Sequence, residues 1–144
     1  MSIVVKPLEA STEITATRTW TDEKGGAPLR CCLRDSRAGE RIVLGAVTPP
    51  GPFGAYAETG PVFLHADGCQ GPVSPGYPED FRARQQVFRA YNSEGMIVGG
   101  ALVDPGQGQE QIAERLLCPP DIAFLHSRNV VYGCYMFAIY PGGR

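Results

Sequence analysis

The sequence is poor in the features that mark many function classes. Only two histidines and one tryptophan occur in 144 residues, and no apolar run approaches the roughly 18 residues of a membrane-crossing helix. Charge of one sign is nowhere concentrated: 13 basic and 15 acidic side chains give a formal net charge of −2. A nucleic-acid footprint needs a clustered basic face, so no nucleic-acid partner is expected. Gly106-Gln107-Gly108 is a short fragment of a phosphate loop without its lysine, and it does not indicate a nucleotide. Residues 1–7 lack a basic region followed by an apolar core of signal-peptide length, so the expectation is a soluble cytoplasmic protein with no membrane partner. An even set of cysteines is also missing. The five present, Cys31, Cys32, Cys69, Cys118 and Cys134, read as reduced thiols rather than a disulfide framework.

What the chain does have is glycine, 18 residues, and proline, 13 residues, beside 43% hydrophobic residues. That mixture predicts one domain over residues 1–144 with many turns and short strands. Residues 1–12 show no clear period. Ile14 to Trp20 is rich in β-branched residues and reads as a strand, ended by the loop from Asp22 to Pro28. Arg30 to Leu33 and Ile42 to Val47 read as the two strands of a hairpin around a turn from Asp35 to Glu40. After the Pro/Gly-rich loop from Thr48 to Ala55, Val62 to Ala66 is a strand with Phe63, His65 and Asp67 on one face. Gln86 to Tyr91 and Met96 to Val103 flank Asn92-Ser93-Glu94-Gly95, a strong hairpin signal.

Ile112, Ala113, Leu116 and Leu117 mark the buried face of a principal helix over about 109–118, stopped by Pro119-Pro120. A short helix is expected near 79–85. Ile122 to Ser127 and Val131 to Tyr140 close the chain as strands, the last apolar on both faces. The fold class is α+β, with a mainly antiparallel sheet of about six to seven short strands.

Three constellations could carry chemistry. Cys31, Cys32, His65, Cys69, His126 and Cys134 are soft or borderline ligands, and His65-x3-Cys69 could chelate from one loop. The spacing is poor for zinc, however, and adjacent Cys31 and Cys32 on a strand would point to opposite faces. No metal and no cofactor is assigned on this reading; a zinc-stabilised interaction module is kept as an alternative. A second alternative is an enzyme using a His/Cys pair, His126 or His65 with Cys134 or Cys69, oriented by Asp67 or Asn129. The favoured reading is a pocket at the strand ends for a small polar or anionic ligand, built from Arg30, Tyr56, His126, Arg128 and Tyr132.

The stretch from Pro28 to Arg41, Pro-Leu-Arg-Cys-Cys-Leu-Arg-Asp-Ser-Arg-Ala-Gly-Glu-Arg, resembles the Pro-Cys-Arg-x-x-Leu-x-Asp-Ala-x-x-Gly-Glu segment of the bacterial domain-of-unknown-function 1203 family. Tyr56 to Phe63, Arg89-Ala90-Tyr91 with Met96-Ile97-Val98, and Phe124-Leu125-His126 with Gly133-Cys134 extend the resemblance over about 28–139. It implies family membership and no mechanism, because the family has no assigned activity. Leu29 stands where the family segment has cysteine, which removes one ligand from a C-x-x-C pair with Cys32, and His65 and Cys69 belong to only some versions of the family segment.

Overall fold

Segments rich in Val, Ile, Phe and Tyr condense as strands, and their number exceeds the sequence expectation. Among residues 2–9 and 12–143, which the computed structural model describes, the chain forms ten strands and one α-helix. In order they are β1 (Ile3–Lys6), β2 (Thr15–Asp22), β3 (Pro28–Leu29), β4 (Arg34–Asp35), β5 (Glu40–Val47), β6 (Gly60–His65), β7 (Gln86–Tyr91), β8 (Ile97–Val103), α1 (Gln109–Leu117), β9 (Phe124–Asn129) and β10 (Tyr135–Pro141). The short helix expected near 79–85 is a single 3-10 turn, Glu79–Phe81.

These strands make two five-stranded sheets, β1-β10-β9-β7-β8 and β2-β5-β6-β3-β4, in place of the one sheet expected. The first is antiparallel throughout, whereas the second is mixed, because β3 pairs with β6 in parallel through Leu29 and Phe63. Period-2 patterning identifies a strand but not its partner, and so the count of sheets was beyond it. Arg30 to Leu33, expected as a strand, is a turn, and the strand facing β5 is β2 on one side and β6 on the other. Leu33 adopts a positive φ of 56° there, which ends β3 and reverses the chain into β4. β1 had no signal in the sequence and pairs with β10 along Ile3–Lys6.

The principal helix occupies nearly the expected residues. Ala113 and Leu117 are fully buried, with Ile112 and Leu116 packed beside them. This face covers the first sheet, where Phe88, Leu125, Met136, Phe137 and Ile139 form the largest core cluster. The β7–β8 hairpin also forms as expected. The Asn92 side chain accepts the N–H groups of Glu94 and Met96, both at 3.0 Å, which closes the turn. Gly95 sits there at φ 79°, and any Cβ would collide with the Pro52 carbonyl. Glycine is therefore required at that position on two counts.

Two smaller clusters fill the other regions. Leu8, Val47, Val62 and Tyr135 join the sheets, and Leu29, Cys32 and Ile42 pack with Trp20 and Phe63 at one end of the second sheet. Phe137 is the keystone of the larger core: it stacks on Phe81 at 6.2 Å and meets Tyr77 edge-on at 5.5 Å. Phe137→Ala is expected to lower stability by about 3–5 kcal/mol, read from urea unfolding curves. A loss below about 1 kcal/mol would contradict this account of the core.

Candidate functional site

The turn between β3 and β4 sends consecutive side chains to two different places. Arg30 leaves on the side of the first sheet, where its Nε donates to the Tyr135 carbonyl at 2.8 Å and its Nη1 to the Pro28 carbonyl at 2.5 Å. It is only 2% exposed. Burial pushes its pKa down to about 10, so the guanidinium stays charged at neutral pH. Among the described residues, no carboxylate lies within ion-pair distance of it.

Arg30 lines a cavity of about 770 Å³ between the sheets. Leu44, Pro61, Phe63 and Met136 give it apolar walls, while Val131 and Tyr132, each 85% exposed, stand at the cavity's edge. Arg84, Gln85 and Asn129 are the other polar neighbours, and each is engaged, Gln85 by donating to Asp104 at 2.6 Å. Arg84 pairs with Asp35 at 2.7 Å, and Asn129 accepts the Cys134 N–H at 3.0 Å.

Of the other residues expected in the pocket, Tyr132 borders both this cavity and a second one, and the rest lie outside the first. Arg128 and Tyr132 line a smaller neighbouring cavity of about 240 Å³, where Arg128 pairs with Glu58 at 2.6 Å. Tyr56 is exposed and lines neither cavity. His126 is buried in an aromatic nest of Phe53, Tyr91, Phe124 and Tyr135, its Nε2–H donating to the Pro50 carbonyl at 3.0 Å. The structure thus brings together Arg30 and Tyr132 and leaves His126 and Tyr56 out.

On its other side the same turn gathers thiols around His65. Nδ1 of His65 lies 3.4 Å from Cys69 Sγ and 3.8 Å from the Sγ atoms of both Cys31 and Cys32. These four donor atoms all lie within 4.8 Å of one another. The expectation that Cys31 and Cys32 point apart is corrected: in a turn, unlike a strand, successive side chains can converge. Their mutual hydrogen bond pushes the Cys31 thiol up and holds the Cys32 thiol down at about 6, against the effect of burial.

Nε2 of His65 faces Glu40 Oε2 at 2.8 Å, and Arg34 grips both Glu40 oxygens at 2.8 Å. That grip holds the Glu40 carboxyl well below the usual carboxylate range. Asp67, expected as an orienting group, pairs instead with Arg41 at 3.1 Å. Glu40 and Arg34 were missed as site residues, because they lie 25 and 31 residues from His65 and only the β5–β6 register and the β3–β4 turn bring them there. His126 and Cys134 are not joined: the Cys134 thiol faces the Tyr132 carbonyl at 3.8 Å. The two histidines belong to different sheets and share no partner among the described residues.

A family model described as "Protein of unknown function (DUF1203)" matches residues 26–140. No curated protein and no solved structure matches the chain.

The burial of His126 has a consequence for acid stability. Loss of solvation pushes its pKa down from 6.5 to about 4, with Arg128 and Arg89 adding to the effect. Above pH 6.5 both folded and unfolded states hold it neutral. As the pH falls from 6.5 to 4, the unfolded chain takes up a proton that the folded protein refuses, and stability drops by up to about 3 kcal/mol. His126→Asn removes this contribution. Urea midpoints taken between pH 7 and pH 4 check it: the gap between the parent protein and H126N should narrow or reverse toward pH 4, and a gap independent of pH would contradict the assignment.

Proposed function

The chain belongs to that family, whose description carries no activity, and from its geometry we propose a binding protein for a small carboxylate with an apolar body. The observation that carries this reading is the Arg30 guanidinium, buried at the wall of a 770 Å³ cavity without an acidic partner among the described residues. An unpaired buried charge costs several kcal/mol unless something compensates it. Two carbonyls offset part of that cost. Nη2 has no protein partner among the described residues and is not sealed from the cavity, so it is available to a ligand anion.

Size and polarity agree. The volume falls within the roughly 300–1,000 Å³ of small-molecule sites, and one fixed charge among apolar walls is the usual way such sites combine affinity with orientation. Arg128 makes the contrast clear. Its charge is already answered by Glu58, so its cavity offers an anion much less. Tyr132, exposed at the cavity's edge, is available to cover a bound apolar body. Cys31, Cys32, Cys69 and Cys134 stand outside any disulfide, which supports the reducing cytoplasm as the place of work.

Calorimetric titration of the full chain with 3-phenylpropionate, and separately with its neutral amide, tests the proposal. The carboxylate should bind at least about tenfold more tightly, as one charge-assisted hydrogen bond of about 1.5–3 kcal/mol implies. Arg30→Gln should remove that preference. Equal binding of acid and amide by the parent protein, or no binding of either, would overturn the proposal whether or not R30Q folds.

A further inference from the structure

Sulfur and imidazole donors seldom meet by accident in groups of four, and those around His65 meet with the spacing of a metal shell. We infer that Cys31, Cys32, His65 and Cys69 form a structural zinc site, distinct from the Arg30 cavity and independent of what that cavity binds. Around a tetrahedral zinc, bonds of about 2.3 Å to sulfur and 2.0–2.1 Å to nitrogen make sulfur–nitrogen edges of about 3.5 Å and sulfur–sulfur edges of about 3.8 Å. The observed edges from His65 Nδ1 are 3.4, 3.8 and 3.8 Å, and no donor pair exceeds 4.8 Å. Closing the shell therefore needs side-chain shifts of an ångström or less. Three thiolates with one imidazole select zinc over hard cations, and four protein donors close the shell, which makes the site structural rather than catalytic.

The surroundings are those of a ligand set. Nε2 of His65 faces Glu40, so the proton belongs there and the Nδ1 lone pair is turned toward the sulfurs. Arg34 fixes Glu40 from behind through both oxygens, and the Arg37 N–H adds a third bond to that carboxylate at 2.6 Å. Two of the sulfurs accept backbone N–H groups: Cys31 from His65 at 3.4 Å and Cys69 from Gly71 at 3.5 Å. Such bonds lower the charge that a thiolate shell must carry. A histidine in a merely apolar corner would need none of this support.

The four donors come from two places in the chain, the β3–β4 turn and the end of β6 with the loop after it. A metal there would clasp the loop carrying Cys69, residues 66–71, to the second sheet at the point where regular pairing has ended. Cys118 and Cys134 are not among the clustered donors and serve as internal controls.

The test is titration of metal-stripped, reduced protein with Co²⁺ and then Zn²⁺. One equivalent of Co²⁺ should give intense thiolate-to-cobalt charge-transfer absorption with the visible bands of tetrahedral coordination, and one equivalent of Zn²⁺ should displace it. Cys69→Ser should abolish the charge-transfer band or shift it markedly, whereas Cys134→Ser should leave it unchanged. Glu40→Gln, which keeps every ligand, should weaken Zn²⁺ binding by about 10–100-fold. Failure of Co²⁺ to produce the band in the parent protein would sink the site even if variants do not fold. A band that survives in C69S and vanishes in C134S would put the metal elsewhere, and an E40Q affinity equal to that of the parent would remove Glu40 as the positioning residue.

Discussion

The hydrogen bond from the Arg30 N–H to the Phe63 carbonyl, at 2.9 Å, is the constraint on which both sites depend. It extends the single parallel pairing of β3 with β6 by one residue and then lets the chain turn away. Leu33, at positive φ, completes that turn, and its N–H returns to the Leu29 carbonyl at 2.9 Å. With the backbone held at these points, Arg30 must leave toward the first sheet and the two following thiols toward His65. One turn of four residues thus places a buried guanidinium on one side and a thiol–imidazole cluster on the other.

Charge placement follows from the same geometry. Arg34, Arg82, Arg84 and Arg128 each have a carboxylate within 2.8 Å, so their charges are answered inside the protein. These pairs are only partly withdrawn from solvent, and their value here is in fixing loops and side-chain direction. Arg30 differs because it is the most deeply buried of these arginines and, among the described residues, has only carbonyl partners. A carbonyl lowers the cost of burying a cation but does not cancel it. The uncancelled remainder is the physical basis of the anion preference proposed for the cavity beside it.

Parts of this were legible in the sequence for local reasons. The helix from Gln109 was announced by a 3.6-residue period and two prolines, and the β7–β8 hairpin by Asn92 and Gly95, whose turn chemistry depends only on neighbours. Arg30 stands out because it lies at the edge of an expected strand, where polar groups from several strands can converge. The aromatic surroundings of His126 have no such local signal, since nothing along the chain says that Phe53 and Tyr91 will fold over it. Cys31 and Cys32 were misjudged through an error of local structure: a strand would have parted them, and the turn joins them. The dependence of that turn on the long-range pairing with β6 explains why propensity could not find it.

The division between sequence and tertiary structure follows the range of the forces involved. Local composition determined that the chain would be sheet-rich, with one amphipathic helix. Those are properties of neighbours and of averages. Tertiary structure alone decided that the described strands form two sheets, that Glu40 stands behind His65, and that Arg30, unlike Arg128, is buried with no acid beside it among the described residues. Each of these depends on which strands pair and in what register, and register brings together residues tens of positions apart by hydrogen bonds that no local pattern encodes.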